Sequence, residues 1–235
     1  MSPGRSAAAE TLRAARTRGE QFDGRFFEAS PHHEPIAPAA AVFADRADWP
    51  APEEYVLAFG GRSPTVRFET MIPRKRRARE KPPVDVESMY DARIVRGVVP
   101  TRARCWHDYL NALVWATFPE AKRALHEKQY AMMRAWATPG AANLPNARTR
   151  EQDAVALIDE GGVLLLRGSD GERAVAFGHA LFEGLVYRTP SMIARGVPLA
   201  VDGSVFDLEL VDRALALLLR SASLTPEMLP RHPLS

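Results

Sequence analysis

Leu208, Val211, Leu215 and Leu218 recur at helical spacing and leave Glu209, Asp212 and Arg220 for solvent, which predicts an amphipathic helix over 205–221. Ala174, Phe177, Leu181 and Leu185 predict another over 173–187. A third differs in kind: Trp106, Tyr109, Leu110, Leu113, Val114, Trp115 and Phe118 cover nearly every side, so a helix capped by Thr101 and ending near Phe118 should be largely buried. Pro119 and Glu120 then open a helix predicted to reach Ala137 and to pair with its predecessor. Pro50, Pro52, Glu53 and Glu54 begin a shorter one that Gly60 and Gly61 stop.

Strand patterns are shorter. Val66 and Phe68 alternate within 64–70, the mixed stretch 90–95 reads the same way, and 197–201 makes a third. The apolar runs 154–158 and 163–167 flank Asp159, Glu160, Gly161 and Gly162, a hairpin pattern with acidic turn residues. Residues 139–150 hold a cluster of breakers and read as an exposed loop. Residues 1–50, rich in Ala, Arg and Pro, show a short helix over 7–18 and no other sustained period, so they read as an arm packed on a single domain spanning 51–235. The predicted class is α+β, mainly helical with a small, largely antiparallel sheet.

Apolar residues make up 46% of the 235 positions against 26% charged, enough for one sizeable core and contrary to global disorder. The net charge of +2 implies no acidic partner for the molecule as a whole. No apolar run approaches the roughly 20 residues that cross a bilayer, and residues 1–24 lack the apolar core of a secretion signal. The single cysteine, Cys105, excludes an internal disulfide and a zinc site needing two thiolates, and suits a cytoplasmic protein.

From Tyr90 the chain reads Y-D-A-R-I-V-R-G-V-V-P-T-R, and from Trp106 to Lys122 W-H-D-Y-L-N-A-L-V-W-A-T-F-P-E-A-K. This series, V-P-T-R, H-D, N-A-L-V-W and F-P-x-x-K, resembles a bacterial family classed as a domain of unknown function. Residues 153–161 and F-G-H-A-L-F-E at Phe177–Glu183 are similar too. The resemblance implies a shared fold and no particular reaction.

His107, Asp108 and Asn111 fall within about one turn of the apolar helix and need partners if buried. Two readings stand open. Backbone groups of the turn 98–104 could satisfy His107 and Asp108 while Asn111 bonds a carbonyl elsewhere, or the three could floor a pocket in which a carboxylate orients His107 as general base or metal ligand and Asn111 fixes a substrate. Arg102 and Arg104 beside the helix start could meet an anionic small molecule. His179 and Glu183 form an i, i+4 pair, open to a metal or to a simple hydrogen bond. If these elements converge, His107, Asp108 and His179 with an acidic residue from Asp159, Glu160 or Glu183, of which Glu160 is the one named as ligand beside the two histidines, make an N/O site for a divalent metal: zinc, manganese or iron.

No H-E-x-x-H pair, Walker lysine, G-x-G-x-x-G or G-x-S-x-G is present. Cys105 stands two residues before His107, a spacing that diverges on a helix, so it reads as packing. The basic loop 74–81, with Arg74, Lys75, Arg76, Arg77 and Arg79, could neutralise phosphates, although no aromatic interleaves to stack on bases. The leading expectation is a cytoplasmic, metal-dependent hydrolase with a pocket centred on His107, Asp108 and Asn111. The alternative is a nucleic-acid or protein-binding module that uses the basic loop.

Overall fold

The computed structural model describes residues 21–72, 85–137, 148–189 and 192–234. The helix over 7–18, the basic loop 74–81 and most of the loop 139–150 lie outside the described residues. Among the described residues no helix is long and apolar enough to cross a membrane.

Turns of 3-10 helix at Phe26–Ala29 and Pro31–Ile36 lead into α1 (Ala37–Ala41), and a further 3-10 segment, Pro52–Phe59, starts at its prolines and stops at Gly60, whose φ of 62° suits glycine. β1 (Arg67–Thr70) pairs in parallel with β2 (Val98–Thr101), and α2 (Tyr90–Val95) lies between them in sequence. Then come α3 (Trp106–Thr117), α4 (Pro119–Trp136), α5 (Arg150–Gly161), β3 (Gly162–Gly168), β4 (Gly171–Ala176), α6 (His179–Val186), β5 (Met192–Ala200), α7 (Leu208–Ser221) and β6 (Arg231–Leu234).

The fold is α+β, with two small sheets. The larger has the order β4-β3-β5-β6, and its β3–β5 pair is parallel while β3–β4 and β5–β6 are antiparallel. It is mixed, which corrects the expectation of a largely antiparallel sheet. The helix α6 carries the chain from β4 to β5, a crossover of the kind that parallel pairing requires.

α3 is the centre of the core. From Tyr109 to Thr117 every residue is buried, as its all-round apolar pattern predicts. Phe22, Phe26, Phe43, Trp49 and Tyr55 pack edge-on or stacked around Trp106 and Tyr109, so the segment 22–55 is joined to α3 through rings. α4 lies against α7, and α3 against α6.

Several expected elements change type. Residues 90–95 are helical and not a strand: Ala92 and Ile94 are buried where α2 packs on α4, and six residues are too few for periodicity to decide. The proposed hairpin through 154–158 is overturned as well. Thr149 and Gln152 form a capping box, acidic residues fill the first turn, and Ala154, Val155 and Ile158 are buried at helical spacing. Asp159 and Glu160 therefore end a helix and do not make a turn. The actual hairpin joins β3 to β4 across Ser169 and Asp170.

The helix predicted from residue 173 is β4 up to Ala176, and α6 begins only at His179. The stretch 98–101 is a strand and not a turn, so Cys105 rather than Thr101 is the N-cap residue of α3. On α7 the inward face is Val211, Leu215, Ala216 and Leu219, with Leu208 and Leu218 at its margin. Asp212 is buried and not solvated. Its carboxylate accepts the N–H groups of Glu120 (3.0 Å) and Ala121 (2.8 Å), capping α4 from a neighbouring helix.

Candidate metal centre

The first turn of α3 is fastened to β2 by Asp108. The Arg102 N–H donates to Asp108 Oδ2 at 2.5 Å, and the Arg102 guanidinium donates to the same carboxylate through Nε and Nη2. Asp108 is thereby committed to Arg102 and does not orient His107. Arg104, at a φ of 55°, turns away and pairs with Asp48 at 2.8 Å. The half-buried Cys105 thiol is pushed up by burial, in keeping with packing.

His107 projects toward α6. Its Nδ1 lies 3.0 Å from Glu183 Oε2 and its Nε2 3.0 Å from His179 Nε2. His179 Nε2 also lies 3.5 Å from Glu160 Oε2. One ligand atom from each of His107, Glu160 and His179 falls within 4.8 Å of the others. Gly178 makes this convergence possible: a Cβ there would meet the Glu160 carbonyl oxygen at 2.4 Å, so only glycine lets the start of α6 rest on the end of α5. His179 is buried and Glu160 exposed, which gives the cluster an inner and an outer end.

The two facing nitrogens pose a tautomer problem. The Glu183 carboxylate accepts a hydrogen bond from His107 Nδ1–H, which leaves a lone pair on Nε2 of the neutral ring. His179 Nδ1 faces Asp159, whose carboxylate oxygen is 3.8 Å away. The negative charge of Asp159 favours a proton on Nδ1, which leaves a second lone pair on His179 Nε2. In these tautomers two lone pairs would face each other at 3.0 Å; a cation between them relieves the clash, as does the neutral His179 tautomer with its proton on Nε2, which donates to His107 Nε2.

The ring ionisations follow from these neighbours. The hydrogen bond to Glu183 raises His107 above the ordinary histidine value. Burial pushes His179 down to about 3. Burial and the neighbouring Asp159 charge raise Glu160. Burial alone would raise Asp159, but the Lys122 charge, assisted by His179 and His126, holds it well below the usual carboxylate range.

Lys122 enters the sequence reading only within F-P-x-x-K, with no role attached. Its side chain is fully buried, its ammonium bonds Asp159, and it sits 5.8 Å from the centre of the Trp115 ring. His126, one turn on, stacks on the other part of this wall: its ring is within 4° of parallel to Trp115 and its Nδ1 is 2.8 Å from Asp91 Oδ1. A signal existed. Phe118, Lys122 and His126 follow at intervals of four along the apolar side, while Glu120, Arg123 and Glu127 occupy the other.

The cluster opens into a cavity of about 330 Å³ whose wall is formed by His107, Asp108, Asp159, Glu160 and His179 together with Met71, Tyr90, Pro100, Arg102 and Asn111, without Arg104, Lys122 or Glu183. The Asn111 amide donates to the Tyr90 hydroxyl at 3.4 Å, and its Oδ1 is buried without a partner among the described residues. Arg74, Lys75, Arg76, Arg77 and Arg79 lie outside the described residues.

No curated protein and no solved structure matches the chain. Residues 78–172, which carry His107, Lys122, Asp159 and Glu160 but neither His179 nor Glu183, match the model of a family described as protein of unknown function (DUF3025).

Proposed function

We propose that this chain is a cytoplasmic, metal-dependent hydrolase whose divalent cation is held by His107, His179 and Glu160. The observation that carries the reading is the pair of Nε2 atoms at 3.0 Å, each on a ring whose other nitrogen faces a carboxylate. The donor set also has the right size. Ligands at about 2.0–2.1 Å on a tetrahedral zinc ion stand about 3.3 Å apart, and the separations of 3.0 and 3.5 Å fall on either side of that value. Three protein donors would leave the position open that hydrolysis needs.

A divalent ion held here supplies Lewis acidity and makes water a nucleophile near neutral pH. The chain's own residues do the rest. Glu183 holds the His107 ring with Nε2 turned to the cavity, the carboxylate–imidazole arrangement that raises ligand basicity. Asn111, one turn along the same helix from His107, and the Tyr90 hydroxyl offer hydrogen bonds in the cavity, and Arg102, held by Asp108, has its Nη1 left for an anionic group on the substrate.

Elemental analysis of untagged protein tests the reading. One zinc, manganese or iron ion per chain is expected, lost in His107→Ala and His179→Ala while both variants still unfold cooperatively. Absence of metal from the wild type, together with no uptake from micromolar zinc or cobalt, would overturn it and leave a shared proton between the rings. Metal-loaded protein then goes to a panel of ester, amide and phosphoester substrates.

A further inference from the structure

We infer that Asp159, clamped by the buried Lys122, is the positioning residue that fixes the tautomer of His179 and so turns its Nε2 lone pair toward the metal centre. The inference deepens the reading above and rests on it for its metal-binding part.

Lys122 sits in the first turns of α4 and Asp159 in the last turn of α5, so their bond ties two helices together beneath α6. A fully buried ammonium is costly, and replacing such a pair by apolar side chains is often neutral or favourable for stability. Packing alone does not account for the pair. Its place does: Asp159 Oδ1, the oxygen that Lys122 binds, is also the carboxylate oxygen 3.8 Å from His179 Nδ1. That separation exceeds a direct hydrogen bond, but the carboxylate's charge still acts across it in a buried setting. With Lys122 holding the carboxylate oxygen in place on the Nδ1 side of the ring, the favoured His179 is the one protonated on Nδ1. Free rotation of the Asp159 side chain would lose that bias.

Two apolar or neutral replacements of the pair separate positioning from packing. Lys122→Met with Asp159→Leu removes both charges and the acceptor. Lys122→Met with Asp159→Asn removes both charges but keeps an amide oxygen near Nδ1. The readouts are long-range proton–nitrogen NMR of the histidine rings in metal-free protein, cobalt titration followed by its visible absorption, and thermal unfolding.

The wild type is expected to show His179 protonated on Nδ1. The Met/Leu variant should fold, shift His179 toward the Nε2–H form and bind cobalt about 10- to 100-fold more weakly, the usual loss when a partner behind a metal-ligating histidine is removed. The Met/Asn variant, which lacks the charge and the clamp but keeps the shape of the side chain, should shift and weaken in the same way. An Nδ1–H tautomer unchanged in the Met/Leu variant would show that the Asp159 backbone carbonyl holds the ring, and would overturn the inference. Wild-type tautomer and affinity in the Met/Asn variant would overturn it too, because an uncharged oxygen would then suffice. A wild type that binds no metal but whose His179 tautomer flips in the Met/Leu variant would remove the proposed function and leave the positioning role standing.

Discussion

Asp212 caps a helix to which it does not belong, and replacing it with asparagine tests whether burial or capping sets its ionisation. Two backbone N–H groups at the start of α4 and the nearby Arg62 guanidinium favour the carboxylate, whereas burial and the Glu120 charge oppose it. Burial is the largest effect, and it carries the Asp212 carboxyl from 3.8 up to about 6. At about 1.36 kcal/mol per pH unit, this rise amounts to about 3 kcal/mol. The sign follows from linkage: the folded state binds the proton more tightly, so the contribution is fully present below the unfolded value near 4 and is lost as the pH rises through about 6.

The amide introduced by Asp212→Asn cannot ionise and so lacks this dependence. It also accepts through one oxygen only, a pH-independent loss of about 1–3 kcal/mol if one N–H is left without a partner. Urea unfolding at a series of pH values is the assay. Between about pH 4 and pH 7.5 the stability of Asp212→Asn relative to wild type should improve by about 2 kcal/mol, the part of the rise that lies above pH 4. A difference that stays flat within about 0.5 kcal/mol, or that falls with pH, would show that the two cap hydrogen bonds outweigh burial, and would refute the reasoning.

Two further substitutions probe how the metal centre is assembled. Gly178→Ala places a Cβ within 2.5 Å of the backbone of Glu160 and Gly161. It should force α5 and α6 apart, costing about 1–3 kcal/mol in urea unfolding and lowering cobalt affinity together; retention of both would mean that the close approach is not needed. Glu183→Gln keeps a hydrogen-bond acceptor for His107 Nδ1 but removes the charge, so cobalt affinity should fall by about 10-fold with little change in melting temperature. Unchanged affinity would show that the charge of Glu183 does not act through His107.

The long patterns were legible because their period had room to declare itself. The buried helix around Tyr109 and the amphipathic one around Leu215 stand close to where apolar spacing puts them. The errors fall where a short apolar run fits two periods. The A-V-A-L-I stretch at 154–158 reads as a strand until Thr149 and Gln152 are weighed as a helix start, and that one misreading moved Asp159 and Glu160 from a solvated turn to the floor of a cavity.

The site itself was visible as residue types and not as partners. His107, His179 and a carboxylate could be named, but the partners of His107 and Asp108 could not, because both face acceptors or donors set by the end of β2 and by α6. Asp108 was expected to orient His107, yet Arg102 takes it and Glu183, 76 positions away, takes the ring. Lys122 was hidden for a different reason: a lysine on a helix is read as solvated by default, and only its alignment with Phe118 and His126 argues otherwise.

The charges around the two rings bear on the choice between the divalent ion proposed above and a shared proton. Asp159 is matched by Lys122 and Asp108 by Arg102. Among the described residues no lysine or arginine forms an ion pair with Glu160 or Glu183, and the ion-pair partner of each is an imidazole. A proton between the rings supplies one positive charge against these two carboxylates. Glu160 is half exposed, so solvent screens its charge and the shortfall falls mainly on the more enclosed Glu183. A divalent cation at the same place matches both. The outer carboxylate, Glu160, is also the one that solvent could neutralise most cheaply, which is why metal content measured on the untouched protein, before any substitution, carries more weight than the loss of metal from a variant.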